Sequence, residues 1–321
     1  MPATQHDQPA GAPPSPRFGG VSSWVDIDGP VHYLDFGGPA DGPVIVGVHG
    51  LSGAAVNWAA IAPLLTGHCR LLAPDLVGHG MTRSSGRSAK VPANRALLHR
   101  FIETVTGSPV ILMGNSMGGM ISLREAAAAP ATVAGLILLD PALPIVPARP
   151  DPLVTAMFLV YAIPGLGRRL MRRGRSLTPE QMVHRVLELC CVDVTRVSRT
   201  TIDQHVEMAR RRAAITSGEQ DFLTAARSVL AESSYVTGRR YRRAVRAVRC
   251  PVLLLHGTRD RLVPVAAARA AARAHPAWTV VELPGVGHVP QLEAPRDSAK
   301  LITEWLGTAG QHAAEAAARP R

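Results

Sequence analysis

The sequence predicts an α/β fold: a mostly parallel central sheet with helices on both faces and an inserted helical cap. Three observations predict it. Short apolar runs recur along the chain, helix-like segments separate them, and the alternation stops between residues 144 and 244, where no run resembles a strand. With 321 residues, 46% hydrophobic and 18% charged, the chain suits one large domain with an insertion, and its composition excludes a disordered or fibrous protein.

The first two strands are predicted to pair as a hairpin at the edge of the sheet. Val21 to Asp26 and Val31 to Phe36 alternate apolar and polar residues on either side of the turn Asp28-Gly29-Pro30. Six further runs are short and apolar and end close to Gly, Pro or Asp, which is typical of strands covered on both faces. These runs are Val44 to Val48, Arg70 to Ala73, Val110 to Met113, Leu136 to Leu139, Val252 to Leu255 and Val280 to Leu283.

The segments between these runs have the apolar spacing of helices. Because strand and helix alternate, we expect parallel strands, and right-handed crossovers then bring the carboxyl ends of the strands to one edge, where the chemistry lies. The predicted core helices are Trp58 to Leu65, Asn94 to Val105, Met117 to Ala128, Val265 to His275 and Pro295 to Leu306. The predicted helices of the insertion are Leu153 to Tyr161, Pro179 to Cys190, Thr200 to Arg212 and Gln220 to Ala231.

The predicted organisation is one core made from two parts of the chain. Residues 21–143 and 245–308 form the core, and residues 144–244 form the helical cap. Residues 1–20 are rich in Pro, Gly, Ala and Gln and lack the basic start and apolar run of a signal peptide, so we predict a flexible tail. Residues 309–321 are Ala-rich and are predicted as a second tail with weak helical character.

The four cysteines indicate neither a metal site nor a disulfide framework. Cys190 and Cys191 are adjacent, whereas Cys69 and Cys250 are isolated, and no CxxC spacing or accompanying histidine pattern occurs. We therefore predict a reduced, cytoplasmic protein whose cysteines are small apolar residues, with no metal and no cofactor.

The net charge of +11 is almost entirely arginine and is concentrated in the predicted cap. Residues 144–244 contain 17 arginines and 9 acidic residues, which accounts for +8 of the total. These arginines are not interleaved with aromatic residues, which make up only 4% of the chain, so we do not expect nucleic-acid binding.

An apolar stretch of the cap precedes five of these arginines. Leu153 to Leu166 is too short to cross a bilayer, which needs about 20 residues. The sequence favours a cap helix that packs on top of the pocket and whose arginines are solvated. The alternative is a lid helix that hides an apolar acyl site, with its arginines near an acidic substrate or near anionic headgroups, where the basic cap would make a weak membrane-surface contact. The arginines are Arg168, Arg169, Arg172, Arg173 and Arg175.

The motif Gly114-Asn115-Ser116-Met117-Gly118-Gly119 lies between an apolar run and an Ala-rich helical segment. A sharp strand-to-helix turn lifts a serine hydroxyl off the sheet, and glycines two positions on either side let strand and helix pass closely. The backbone N–H of Met117 then lies at a helix N-terminus, where it can donate to a developing oxyanion. The plainer interpretation is a glycine-rich turn with a capping serine.

Two further residues favour the catalytic interpretation. Asp260 follows one apolar strand, and His288 follows the next in Gly287-His288. A serine hydroxyl is a poor nucleophile until an imidazole takes its proton, and a carboxylate fixes the tautomer of that imidazole. We therefore predict Ser116 as nucleophile, His288 as base and Asp260 as the acid that orients the base.

Five motifs together resemble those of the α/β-hydrolase superfamily, in order over roughly residues 21 to 306. The resemblance implies the α/β-hydrolase fold, the triad, and an oxyanion hole of two backbone N–H groups, which Leu51 and Met117 would supply. It covers the core well and the cap hardly at all. The motifs are His49-Gly50, Pro74-Asp75-Leu76-Val77-Gly78-His79-Gly80, Gly114-Asn115-Ser116-Met117-Gly118-Gly119, His256-Gly257-Thr258-Arg259-Asp260 and Gly287-His288.

Two nearby residues have alternative roles. His49 is predicted to be a structural hydrogen-bonding residue, because its position is beneath the oxyanion loop. Asp140 is the rival to Asp260 for the acid, since some relatives supply the carboxylate after that strand; a cap on the turn Asp140-Pro141 is its plainer role.

The predicted activity is serine-hydrolase acyl transfer on a small-molecule substrate, with a carboxylic ester of small to medium apolar character ranked first. A serine at this turn argues against the epoxide hydrolases and haloalkane dehalogenases, which use a carboxylate there. Asn115 and the Met-Gly-Gly after Ser116 are also similar to carbon-carbon bond hydrolases of ring-fission products, but the loop from Leu51 to Ala55 is less glycine-rich than theirs. A catalytically inactive receptor with the same fold is the third hypothesis. The sequence leaves the oligomeric state open.

Overall fold

The computed structural model describes residues 18–144, 151–163, 165–169, 177–213 and 218–318, the last ten of these by their backbone alone. The predicted tail up to residue 17 and four arginines of the predicted cap, Arg149, Arg172, Arg173 and Arg175, lie outside the described residues. Phe18, within the segment predicted as a flexible tail, is instead buried, with the guanidinium of Arg211 over its ring. That part of the tail prediction is wrong, because the large aromatic ring packs into an apolar site against the core.

Eight strands form one sheet. They are β1 Val21–Asp26, β2 Pro30–Asp35, β3 Val44–Val48, β4 Arg70–Pro74, β5 Val110–Asn115, β6 Val133–Leu139, β7 Val252–Gly257 and β8 Thr279–Leu283. Their order is β1-β2-β4-β3-β5-β6-β7-β8. The pairs β1 with β2 and β2 with β4 are antiparallel, and every other pair is parallel. The hairpin at the edge and the mostly parallel sheet are as predicted.

The helices follow the strands in the expected alternation. They are α1 Ala62–Leu65, α2 Val91–Phe101, α3 Met117–Ala128, α4 Pro152–Ala162, α5 Pro179–Cys190, α6 Arg199–Ala213, α7 Gly218–Ser233, α8 Arg239–Ala247, α9 Val265–Ala274, α10 Pro290–Glu293 and α11 Pro295–Ala318. Helix α2 continues into a π-helical turn, Ile102–Thr106, which ends where Gly107 takes a left-handed conformation with φ of 64°.

Four helices differ from the sequence prediction. Of the predicted segment Trp58 to Leu65, only Ala62–Leu65 is α-helical, with Pro63 in the first turn, and Trp58 instead ends a 3₁₀ turn, Ala55–Trp58. The single-turn helix α10 was not predicted. Helix α8 was missed, because only two of its residues, Tyr241 and Val245, are buried and the remainder is dominated by arginine. Helix α11 extends to Ala318, through most of the segment predicted as a tail.

Two apolar cores lie on opposite faces of the sheet, because neighbouring residues of a strand point to opposite sides. Val46 and Leu138 belong to one core, whereas their neighbours Ile45 and Ile137 belong to the other. A third, smaller cluster joins the segment after β6 to the loop beyond β8, and it contains Leu187, Cys191, Val197, Val289 and Leu292. No helix in the described part of the chain has both the length and the apolar composition to cross a membrane.

Helix α3 crosses strand β3 at a distance that only glycine allows. A Cβ atom at Gly118 would lie 1.9 Å from the carbonyl oxygen of Val48. Both partners of this contact are backbone, so neither can move aside without displacing a strand. The position of α3, and with it the turn that precedes α3, therefore depends on a bare backbone at residue 118.

We predict that Gly118→Ala lowers the free energy of unfolding by about 3 kcal/mol or more, because the methyl group forces helix and strand apart. Gly67→Ala is the matched control: a Cβ atom there would have no neighbour within 4 Å, and the change should stay within about 0.5 kcal/mol. Urea denaturation measures both. Equal stability of the two variants would contradict the close crossing.

Candidate active site

The turn between β5 and α3 holds Ser116 in a conformation that residues other than glycine rarely adopt. Its φ is 53° and its ψ is −117°. Backbone hydrogen bonds maintain this conformation: Ser116 donates its N–H to Leu139 at 3.1 Å, and its carbonyl accepts from the N–H of Ala142 at 2.9 Å. Strain of this kind persists only where surrounding contacts over-determine the backbone, and such positions cluster at functional sites.

Glycines surround this serine because strand and helix nearly touch. A Cβ atom at Gly114 would lie 2.7 Å from the backbone of Gly118, and one at Gly119 would lie 2.7 Å from Cβ of Pro141. The motif therefore has a steric reason in this fold, and the strand, turn and helix that it requires are all present.

His288 and Asp260 form a buried hydrogen bond beyond the ends of β8 and β7. His288 Nδ1 and Asp260 Oδ2 are 2.7 Å apart, and the two residues are 3% and 8% exposed. The second oxygen of Asp260 accepts from the backbone N–H groups of Leu262 and Val263 at 2.8 and 3.0 Å. These contacts fix the direction of the carboxylate, so it can hold the imidazole in one tautomer.

The charge state of Asp260 follows from its surroundings. Burial raises the pKa of a carboxyl group, but His288 and then His256 outweigh burial here, and the pKa of Asp260 lies below its ordinary value. The group is therefore an ionised hydrogen-bond acceptor at neutral pH.

Asn115 joins the serine turn to the histidine loop. Its side-chain amide donates to the carbonyl oxygens of Leu139 at 2.9 Å and His288 at 3.0 Å. The fold therefore brings Ser116, Asp260 and His288 to the same edge of the sheet. The Ser116 hydroxyl itself has no hydrogen-bond partner among the described residues, which is common for catalytic hydroxyls before substrate binds. The catalytic roles of these three residues remain predictions.

The two predicted oxyanion donors are also close to this serine. A Cβ atom at Gly50, the neighbour of Leu51, would lie 3.1 Å from Cβ of Ser116. Met117 is the first residue of α3, where backbone N–H groups have no partner within the helix. Neither Leu51 nor Met117 donates its N–H to an acceptor in the described part of the chain.

His49 is fully buried and links two backbone segments through hydrogen bonds. Its Nδ1 donates to the carbonyl of Gly50 at 2.8 Å, and its Nε2 accepts from the N–H of Leu76 at 3.0 Å. Burial lowers the pKa of His49, so the ring is neutral. These bonds confirm the structural role predicted for it.

Asp140 lies beside the Asp260 carboxylate and makes no hydrogen bond to His288. Its Oδ1 accepts from the N–H of Gly257 at 2.9 Å, while Oδ2 is buried without a partner among the described residues. Burial first, and then the charge of Asp260, raise the pKa of Asp140 well above its ordinary value. The geometry thus favours Asp260 as the group that orients His288, and the neighbouring Asp140 is a carboxyl group that retains its proton to higher pH than an ordinary aspartate.

Asp140, His256 and Asp260 are close enough to hold a metal ion, with their ligand atoms within 4.8 Å of one another. The ligand atoms of His256 and Asp260 already make hydrogen bonds within the protein. His256 Nε2 donates to the carbonyl of Val263 at 2.9 Å, and Asp260 Oδ2 binds His288. We therefore interpret Asp140, His256 and Asp260 as a cluster that holds His288 in position.

Glu293, which no motif in the sequence indicated, is a buried carboxylate that joins the segment after α5 to the histidine loop. Its Oε2 accepts from the N–H of Gly287 at 2.8 Å, and its Oε1 accepts from the N–H groups of Val192 and Asp193, both at 3.0 Å. The carbonyl of Cys190 also accepts from the backbone N–H of His288, at 2.6 Å. A glutamate among apolar residues five positions after His288 was the available signal.

We predict that Asp140→Asn gains stability relative to the native protein as pH rises from about 4 to 8. A raised folded-state pKa means that the native protein retains this proton longer than the unfolded chain does, so its stability falls with rising pH, whereas asparagine has no proton to lose. The amide oxygen can still accept from Gly257. Urea denaturation across this pH range is the measurement, and a relative loss of stability toward pH 8 would contradict the neutral carboxyl.

We predict that Glu293→Gln lowers the free energy of unfolding by about 2 kcal/mol or more, because an amide NH₂ replaces an oxygen that accepts backbone N–H groups. It should also lower kcat, since the loop of His288 loses its link to the cap. Glu304→Gln, on the exposed face of α11, is the control and should change neither quantity. Identical behaviour of the two variants would refute the role of Glu293.

Comparison with known proteins agrees with this geometry. Residues 45–301 match the model of the Alpha/beta hydrolase family. A magnesium-chelatase 30 kDa subunit of Rhodobacter capsulatus is 27% identical over 303 residues, 90% of this chain and 93% of that protein. A pimeloyl-[acyl-carrier protein] methyl ester esterase of Aromatoleum aromaticum is 28% identical over 265 residues, 82% of this chain and 97% of that protein.

Solved structures show the same architecture at lower identity. A haloalkane dehalogenase DbeA loop variant from Bradyrhizobium elkanii superposes with a TM-score of 0.77 at 20% identity, covering 91% of this chain and 98% of that one. This likeness concerns the fold alone. Because the family model spans most of the core described above, the chain belongs to the alpha/beta hydrolase family.

Proposed function

We propose that this protein is a serine hydrolase that cleaves carboxylic esters through an acyl-enzyme. The observation that carries the proposal is the buried 2.7 Å hydrogen bond between His288 and Asp260, at the same sheet edge as a strained serine. This combination activates a hydroxyl that is otherwise a poor nucleophile.

In the first step, Ser116 Oγ attacks the carbonyl carbon of the ester and His288 Nε2 accepts the hydroxyl proton. Asp260 remains ionised and stabilises the imidazolium that results, because its oxygen already accepts from Nδ1. The imidazolium then gives its proton to the departing alcohol. Water attacks the acyl-enzyme in the second step, again with His288 as base, and the free serine returns.

The N–H groups of Leu51 and Met117 are the proposed donors to the oxyanion in both steps. Both lack an acceptor in the described residues, so donating to the substrate costs no internal hydrogen bond. Removal of a single donor of this kind typically costs about a hundredfold in rate or more.

An ester is proposed as the substrate because a serine stands where dehalogenases of this family use a carboxylate. The relative from Aromatoleum aromaticum is named as an esterase, which supports an ester for this chain as well. The relative from Rhodobacter capsulatus is named as a subunit of a larger enzyme, which keeps a non-catalytic role as the competing hypothesis.

We predict that a fluorophosphonate probe labels the native protein and does not label Ser116→Ala, because the probe reacts with activated serine hydroxyls. His288→Ala should also abolish labelling, and Asp260→Asn should slow it by roughly three to four orders of magnitude. Ser88→Ala, at an exposed serine, is the control and should label normally. Gel fluorescence and peptide mapping by mass spectrometry are the readouts.

The outcomes separate the competing functions. An unlabelled native protein would overturn the proposal in favour of a receptor. For a labelled protein, p-nitrophenyl esters of graded chain length are compared with a ring-fission dienoate: we expect turnover of the esters, and preference for the dienoate would instead indicate a carbon-carbon bond hydrolase.

A further inference from the structure

Helix α8 has one face built into the core and one face made of arginine. Tyr241 and Val245 are buried, and the Tyr241 hydroxyl donates to the carbonyl of Ala142 at 2.8 Å. The opposite side borders a surface groove of about 480 Å³, which we call the arginine face. It is lined by Arg239, Arg240, Arg242, Arg243 and Arg246.

Within the described residues, this face concentrates five arginines without acidic partners on one short helix. None of its five arginines has a carboxylate within 4.0 Å among the described residues. Elsewhere ten arginines pair with Asp or Glu, namely Arg70, Arg95, Arg100, Arg124, Arg196, Arg199, Arg210, Arg211, Arg261 and Arg269. A concentration of unpaired positive charge on one helix creates a field that attracts anions.

The positive field of α8 reaches a neighbouring element. His275 follows α9 and stacks on Trp278 with ring centroids 4.3 Å apart. Burial first, and then the charges of Arg246 and Arg249, lower the pKa of His275. An anion bound to this side of the molecule should therefore raise that pKa.

An exposed apolar tip stands next to the arginine face. Tyr235 and Val236 are 76% and 79% exposed, in the loop that leads into α8. Arg242 holds this loop against the helix: its guanidinium lies 5.0 Å from the ring centroid of Tyr235, and it donates to the carbonyl of Ser234 at 3.0 Å. The tip and the arginines therefore form one surface.

We propose that the arginine face and this tip dock on an anionic lipid bilayer. Arginines three and four positions apart project from the same side of a helix, and each cation near an anionic membrane contributes about 1 kcal/mol of attraction. A tyrosine and a valine side by side match the boundary between headgroups and acyl chains. A nucleic acid or an acidic protein would neutralise the arginines but gives no reason for the apolar tip.

The docked orientation would bring the candidate site close to the membrane. On the inner face of α8, the Tyr241 hydroxyl donates to the carbonyl of Ala142. The N–H of Ala142 in turn donates to the carbonyl of Ser116 at 2.9 Å. Apolar esters partition into bilayers, so docking would concentrate the enzyme at its proposed substrate. Binding itself does not depend on the proposed function, and Ser116→Ala should bind as the native protein does.

The test uses the full-length protein and sedimenting vesicles of phosphatidylcholine, with or without about a third of phosphatidylglycerol. We expect binding to the anionic vesicles, a much lower partition coefficient on the zwitterionic ones, and weakening with salt. Arg240→Glu with Arg243→Glu should lower the partition coefficient on anionic vesicles by about tenfold or more. Both side chains are exposed, so circular dichroism should confirm an intact fold.

The matched control is Arg296→Glu with Lys300→Glu on α11, which makes the same change in net charge. Helix α11 packs on the opposite core from α8, through Ala299 and Ile302. The control should retain binding within about twofold. Tyr235→Ser with Val236→Ser leaves the charge intact and should also weaken binding.

Three results would overturn the proposal. Native-like binding by the arginine-face variant would exclude that face, and an equal loss in the α11 control would mean that only net charge matters. Binding to soluble polyglutamate without binding to anionic vesicles would mean that an acidic protein, and not a bilayer, is the partner.

Discussion

The candidate site is organised around the buried hydrogen bond between His288 and Asp260. Burying an imidazole and a carboxylate is costly unless both are held and satisfied, and here the second carboxylate oxygen is bound by two backbone N–H groups. Burial, and then the charge of Asp260, raise the pKa of the neighbouring Asp140 carboxyl well above its ordinary value. The pKa values of two carboxyl groups at adjacent strand ends are therefore shifted in opposite directions, and only Asp260 is hydrogen-bonded to the imidazole.

The histidine loop owes its position to the cap as well as to the sheet. The backbone N–H of His288 donates to Cys190, and Glu293 binds N–H groups from both sides of the junction. A shift of the segment after α5 would consequently reach the His288 imidazole through two hydrogen-bonded contacts. This arrangement gives a physical route by which movement of that segment can change the position of His288.

Much of the core could be predicted from sequence because its signals are local. Alternating residues located β1 and β2, and apolar runs located the other six strands of the described residues, all within a few positions. The spacing of Gly114 and Gly118 around Ser116 reflects a backbone contact that any side chain would break. Glu293 was missed because two of its three backbone partners are about a hundred residues away, a contact that no local pattern encodes. Helix α8 was missed although Tyr241, Ala244 and Val245 have the i, i+3, i+4 spacing of an amphipathic helix, because the segment is only nine residues long and mostly arginine.

The central claim is that Ser116, His288 and the two backbone donors converge on one reacting carbon. A crystal structure of the protein inhibited by an alkyl phosphonate tests it directly, because the phosphonyl group mimics the tetrahedral intermediate. We expect phosphorus bonded to Ser116 Oγ, with one phosphonyl oxygen roughly 2.7–3.1 Å from the backbone nitrogens of both Leu51 and Met117. Phosphorus on another residue, or an oxygen that contacts neither nitrogen, would contradict it.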